Sequence, residues 1–159
     1  MFSFCPNLEK VDFNSFNTEN VEDMSYLFEG CKKLENINFS NLNTKNDITI
    51  EGIFSETNLI NIDLSNLKVN NVKNFSYFFS ECENLNTNHL SSLKCKNAND
   101  MKGCFGGCDL INVKFSKFNF ENFRNMDYCF SRCKNIEINE NSSILNLRNC
   151  ISMRHTFYK

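Results

Sequence analysis

Cysteine is the residue through which this chain would most readily do chemistry: nine stand among 159 residues, beside only two histidines. Thiolates bind zinc, attack electrophiles or pair as disulfides, and spacing decides among these. Cys104, Cys108, Cys129 and Cys133 form two i, i+4 pairs, the four sulfurs that a tetrahedral zinc takes. Against that reading, Cys5, Cys31, Cys82, Cys108 and Cys133 recur at one position of a sequence period. Cys104 and Cys129 recur at another, where other periods carry leucine, isoleucine or phenylalanine. Such interchange marks small buried hydrophobes rather than ligands, so no metal and no cofactor is expected. The odd count and an opening, MFSFCPNLEK, without the charged and apolar regions of a secretory leader lead to the expectation of reduced thiols.

The remaining candidates for chemistry are weaker. GCFGGC, Gly103 to Cys108, has neither CxxC spacing nor the Lys-Ser/Thr that completes a phosphate loop, and it aligns with LFEGC at Leu27 to Cys31. His89 and His155 lie far apart in the chain, with no repeated acid or nucleophile beside them. No catalytic residue is expected on these grounds, and an enzyme using cysteine or zinc is the least supported class. Sequons at Asn38, Asn74 and Asn141 are what chance supplies in a chain with 29 asparagines, and they matter only in an exported protein.

The period that positions these residues is set by phenylalanine. Phe2, Phe28, Phe54, Phe79, Phe105, Phe130 and Phe157 follow one another at 25 to 27 residues, and Asn20, Asn46, Asn71, Asn97, Asn122 and Asn149 each stand eight residues before one of the last six. A period of this length indicates small units that stack because none can bury its apolar face alone. The phenylalanines are expected to form a continuous spine. The asparagines are expected to settle the loop before each spine residue, by bonding backbone or the same residue one unit away.

Aligned on Leu8, Leu34, Leu59, Leu85, Leu110 and Ile136, the units open with apolar residues at +3 and +5 and polar ones between, as in Leu8, Val11, Phe13 or Leu59, Ile62, Leu64 or Leu110, Val113, Phe115, except that one departs at Asn88 and the last loses register after Ile136 and Ile138. That alternation predicts a short half-buried strand. At +15 stand Asp23, Thr49, Asn74, Asp100, Asn125 and Ser152, residues suited to cap a helix. Apolar residues then fall at +16, +19, +20 and +23, for example Met24, Leu27, Phe28 and Cys31. This i, i+3, i+4, i+7 stripe predicts an amphipathic helix of about two turns. The expected fold class is therefore α/β, a right-handed coil of about six 25 to 26-residue strand–loop–short-helix repeats on one parallel sheet. The units run at about 8–33, 34–58, 59–84, 85–109, 110–135 and 136–159 within a single repeat domain, with 1–7 ending a preceding unit.

The segment FNTENVEDMSYLFEGCKKLENINFSNLNT, Phe16 to Thr44, resembles the BspA-type leucine-rich repeats, a repeat domain of mycoplasmal and other bacterial surface lipoproteins that also occurs in protists. The similarity extends over the whole chain, is best kept in NVEDMSYLFEGC, Asn20 to Cys31, and is weakest over Asn46 to Asn58. It implies the leucine-rich-repeat architecture and an adhesion or host-contact role at a cell surface. Residues Met1, Phe2 and Cys5 align with Leu27, Phe28 and Cys31, and Phe157 aligns with the middle of the same segment. The chain thus reads as an excised part of a longer array, or as one whose open ends stack on another copy.

Net charge is −2, from 17 basic and 19 acidic residues without a basic cluster, which argues against nucleic acid as a partner. No apolar run of about 18 residues is present to cross a bilayer, so membrane insertion is not expected. Parallel stacking of the strands would align their outward residues into ladders: Lys10, Asn36, Asn61, Thr87 and Asn112 in one column, Asp12, Asn38, Asp63, His89 and Lys114 in the next. These columns are the candidate binding face, for a protein or glycan ligand. A noncatalytic binding module of a surface or adhesion-type protein is the leading expectation. An intracellular scaffold or structural subunit of a larger assembly is the alternative.

Overall fold

The computed structural model describes residues 1–39, 42, 48–60, 67, 69–85, 95–110, 120–136 and 147–159. Strand β1, Lys10–Asp12, turns out Lys10 and Asp12 and buries Val11 between them, as the alternating pattern requires. A single 3-10 turn, Phe13–Ser15, follows at once, with the Asp12 carboxylate accepting from the Asn14 N–H at 2.9 Å. Strand β2, Asn36–Asn38, pairs with β1 in parallel, setting Lys10 beside Asn36, Val11 beside Ile37 and Asp12 beside Asn38. The strands expected through Ile62 and Leu64 and through Val113 and Phe115 lie outside the described residues.

The expected architecture needs correction. No α-helix occurs among the described residues, and β1 and β2 are the named strands there, so a leucine-rich-repeat-type right-handed coil of short helices on one parallel sheet is not what this chain forms. The segments expected to be helical are successive four-residue turns. In the second of them the N–H groups of Leu27, Glu29 and Cys31 bond three residues back, to Met24, Tyr26 and Phe28. Those of Met24, Tyr26, Phe28 and Gly30 reach instead to the carbonyls of Thr49, Glu51, Ile53 and Ser55, one period away. Tyr26 and Gly30 have φ of 55° and 67°, the sign that a type II turn demands at its third residue.

Two turns of four residues reproduce a helical stripe. They bury Met24, Leu27, Phe28 and Cys31, the positions a 3.6-residue period would also bury. Hydrogen bonding favours the turns. In a two-turn helix the first four N–H groups have no internal partner, about half of its donors, whereas here alternate donors find carbonyls in the next segment. The cap column behaves in keeping with this. Asp23, Asn74, Asp100 and Asn125 each accept from the N–H two residues on, at 2.8 to 3.0 Å, but they open a turn and bridge in parallel to their counterparts rather than starting a helix.

A left-handed backbone costs an L residue about 1–2 kcal/mol, and the positions that adopt it alternate in an ordered way. Tyr26, Gly52, Tyr77, Gly103, Tyr128 and His155 occupy one column, all at positive φ. The Tyr26 ring lies on Gly52 and the Tyr77 ring on Gly103, in the space where a Cβ would stand. Each tyrosine thereby covers the backbone of the next segment, and the glycine beneath it makes the close approach possible.

Inside the turns runs the phenylalanine spine. Phe2, Phe28, Phe54, Phe79, Phe105, Phe130 and Phe157 stack face to face with centroids 5.6 to 6.0 Å apart and interplanar angles of 1° to 20°. Phe13, Phe39, Phe78 and Phe120 pack edge-on against it.

Candidate functional site

Of the columns expected to form a binding face, the described part lies where β1 pairs with β2. Parallel register brings Lys10 and Asn36 into one column and Asp12 and Asn38 into the next, with Lys10, Asp12 and Asn38 exposed. Asp12 also closes the 3-10 turn through its bonds from the Asn14 N–H and amide, at 2.9 and 3.0 Å, which fixes the direction of its carboxylate. The remaining members of these columns, Asn61, Asp63, Thr87, His89, Asn112 and Lys114, lie outside the described residues.

The asparagine column settles its loops through backbone. The Asn97, Asn122 and Asn149 amides donate to the carbonyls of Asn70, Lys96 and Glu121, one period earlier, at 2.7 to 2.9 Å. Asn20 and Asn71 lie exposed at equivalent turns, and Asn46 is outside the described residues.

The thiols are structural donors. Cys31, Cys82, Cys108 and Cys133 direct their sulfurs at the carbonyls of Phe2, Phe54, Phe79 and Phe105, at 3.0 to 3.1 Å, so each ties one spine residue to the next segment. Thr57 stands in the same column but bonds within its own segment, its hydroxyl donating to the Phe54 carbonyl at 2.7 Å, the same carbonyl that Cys82 reaches from the next segment. All nine cysteines are free. Burial pushes the Cys82 thiol up to about 11 and that of Cys133 to about 12, and holds Cys104, Cys108 and Cys129 well above the usual range. Such thiols stay protonated at neutral pH and are poor nucleophiles. With an aromatic disulfide reagent at pH 8, the exposed Cys5 is expected to react at once, while Cys82, Cys104, Cys108 and Cys129 react only as the chain unfolds. Rapid labelling of those four in the folded protein, located by mass spectrometry, would contradict their placement.

Cys104, Cys108, Cys129 and Cys133 are therefore each engaged in packing or in a separate carbonyl bond. Among the described residues no three His, Cys, Asp or Glu side chains gather to hold a metal ion. GCFGGC is one of the turn segments, with the Tyr77 ring on Gly103 and the Glu81 carboxylate on Gly107. His155 stacks on Tyr128 at 5.1 Å and meets Tyr158 edge-on at 5.7 Å. Nearby, the buried Asp127 accepts from the Ser152 hydroxyl and the Arg154 N–H, and both its Ser152 bond and Arg154 hold its carboxyl below the usual range.

One feature of the surface is not evident from the periodicity. A groove of about 660 Å³ runs across several segments beside the cysteine column, lined by Lys32, Glu56, Thr57, Asn58, Glu81, Glu83, Asn84 and Arg132. Its charges are paired between segments: Lys32 with Glu56 at 3.4 Å, and Arg132 with Glu81 at 3.6 Å across Gly107, which leaves that stretch without a side chain. Lys134 and Glu83 make a parallel bridge at 3.7 Å. Exposed pairs of this kind contribute about 0–1 kcal/mol each, so they exchange readily with charges brought by a ligand. The signal in the sequence was the charge next to three cysteines of the column, at Lys32 after Cys31, at Glu81 and Glu83 about Cys82, and at Arg132 and Lys134 about Cys133.

No helix among the described residues is long and apolar enough to cross a membrane. No curated protein and no solved structure matches the chain. A family model described as "Mycoplasma protein of unknown function, DUF285" matches residues 1–112 and again 77–159. Between them these matches span the whole stack of turns, and the chain belongs to the DUF285 family.

Proposed function

We propose that this chain is a noncatalytic binding module that takes a protein or glycan ligand on polar columns crossing its stacked segments. The observation that carries this reading is the division of labour among its reactive side chains. The described thiols with raised pKa are buried or hydrogen-bonded into the stack, whereas Lys10, Asp12 and Asn38 stand exposed in parallel register. The similarity of Phe16 to Thr44 to BspA-type surface repeats points in the same direction, toward adhesion at a cell surface.

The test is binding of the 159-residue chain to an immobilised glycan array and to immobilised extracellular-matrix proteins, wild type beside the Asp12→Ala/Asn38→Ala variant. A loss of about tenfold in affinity, roughly 1.4 kcal/mol, with unchanged far-UV circular dichroism is expected. Equal binding by the variant would remove this face from the reading. An intracellular scaffold is favoured by one observation, the free state of all nine cysteines, which suits a reducing compartment. Protease shaving of intact cells distinguishes the two, since a surface module is cut and a scaffold is protected.

A further inference from the structure

Tyr26, Tyr77 and Tyr128 stand 51 residues apart, so tyrosine fills one column in alternate segments. Gly52 and Gly103 fall between them and raise no side chain between the rings. The Tyr26 and Tyr77 rings lie across these glycines, in the space of the missing Cβ, and so lie along the surface over two segments rather than standing off it. The Tyr77 ring carries the Lys102 ammonium over a face, 5.7 Å from its centroid. That is near the outer limit of a cation–π contact, about 6 Å, so the cation yields readily to another occupant. Tyr128, where the next segment has His155 in place of glycine, stacks on the imidazole at 5.1 Å and is 42% exposed.

A polar strip flanks these rings. The Glu51 carboxylate accepts from the Tyr26 hydroxyl at 2.7 Å and from the Asn74 amide at 3.1 Å, which fixes both the ring and the acid. In the next pair of segments Asp100 accepts from the Ser76 hydroxyl at 3.0 Å and from the Asn125 amide at 3.1 Å. A carboxylate oxygen has two lone pairs, so the oxygens that take the Asn74 and Asn125 amides can each receive a further hydroxyl. Rigid aromatic platforms beside acceptors of fixed direction are suited to sugars. The C–H face of a sugar meets the electron-rich face of the ring, and ordered side chains lose little entropy on binding.

Spacing selects the kind of glycan. Neighbouring segments bridge in parallel, Asp23 to Thr49 and Asn74 to Asp100 to Asn125, so alternate segments lie about 10 Å apart, twice the distance between paired strands. An extended β-linked chain of the cellulose or chitin type turns each sugar about half a revolution from the last, and so repeats the same face at every second sugar, at about this interval. We propose that the tyrosine row binds a neutral β-linked glycan of this type, with alternate sugars resting on Tyr26, Tyr77 and Tyr128 and their hydroxyls reaching Glu51 and Asp100. The proposal rests on the binding-module reading, but it places the ligand on a different face from Lys10, Asp12 and Asn38.

The chain has no tryptophan and four tyrosines, three of them in this row, so its tyrosine fluorescence reports a ligand there. Titration of the 159-residue chain with cello- and chito-oligosaccharides of two to six units is expected to show, in at least one series, an affinity about tenfold or more higher for the longest member than for the disaccharide, because only longer chains reach two or three rings. An α-linked malto-oligosaccharide of six units, which coils, is expected to bind at least about tenfold more weakly than the better β-linked one. Tyr26→Ala/Tyr77→Ala should lose about tenfold or more, Tyr26→Phe/Tyr77→Phe should stay within about threefold of wild type, and Asp12→Ala/Asn38→Ala should bind as the wild type does. Binding of neither series, an affinity that does not rise with length, or equal binding of the α-linked chain overturns the proposal on the wild type alone, whether or not a variant folds. Loss in the Asp12/Asn38 variant with none in the folded Tyr26→Ala/Tyr77→Ala variant also overturns it, and leaves the binding-module reading standing on the strand columns.

Discussion

Replacing Phe79 by alanine is expected to cost about 3–5 kcal/mol of stability, the range for truncating a buried aromatic. Phe79 is 1% exposed and touches rings on three sides: Phe54 at 5.8 Å and Phe105 at 6.0 Å along the spine, and Phe78 edge-on at 4.6 Å. Its removal leaves a cavity between segments whose spacing is fixed by backbone bonds, so the neighbours cannot collapse into it. The same change at Phe157, which is 40% exposed and among the described residues stacks on Phe130 alone, is expected to cost less than half as much. Urea titration of both variants measures the contrast. A cost at Phe79 below about 1 kcal/mol, the value for an ordinary surface position or less, would mean that the spine is not the core.

Gly103→Ala is expected to be among the most damaging single-methyl changes, at about 2–4 kcal/mol. Two effects add. Gly103 has φ of 59°, where a Cβ costs about 1–2 kcal/mol, and that Cβ would lie 2.5 Å from the Tyr77 ring, which must then leave the backbone it covers. In a Tyr77→Ala background only the backbone part remains, so the double-mutant cycle should return a coupling of about 1 kcal/mol or more. Gly106→Ala serves as the control, because its nearest contacts would be carbonyl oxygens at 3.4 Å and its φ is not positive; it is expected to cost under about 1 kcal/mol. Equal costs at Gly103 and Gly106 would discount the ring-on-glycine contact.

The glycine column is itself legible in the sequence. Tyr26 and Gly52, and Tyr77 and Gly103, are each 26 residues apart, a pairing visible to anyone who aligns the period and asks why a glycine follows a tyrosine. The charged flanks of the cysteine column announced the groove in the same way. The register of two strands, by contrast, was legible at once: the +2 and +4 columns predicted that Lys10 would meet Asn36 and Asp12 would meet Asn38, and the parallel pairing sets them so, while their binding of a ligand stays a proposal. The other members of these columns fall outside the described residues.

What the sequence determined by itself is the period and the inward face. A residue such as Phe28 or Cys31 is buried because its column repeats every 25 to 27 residues with apolar or small members, and recurrence of that kind has no other economical cause. What only the tertiary structure decided is the backbone that carries those residues. Met24, Leu27, Phe28 and Cys31 fit a helix and a pair of four-residue turns equally well, because the two periods differ by less than half a residue. The choice is made by donors that a short helix would leave without partners, and their acceptors, such as the carbonyls of Thr49, Glu51 and Ile53, come from the neighbouring segment a full period away.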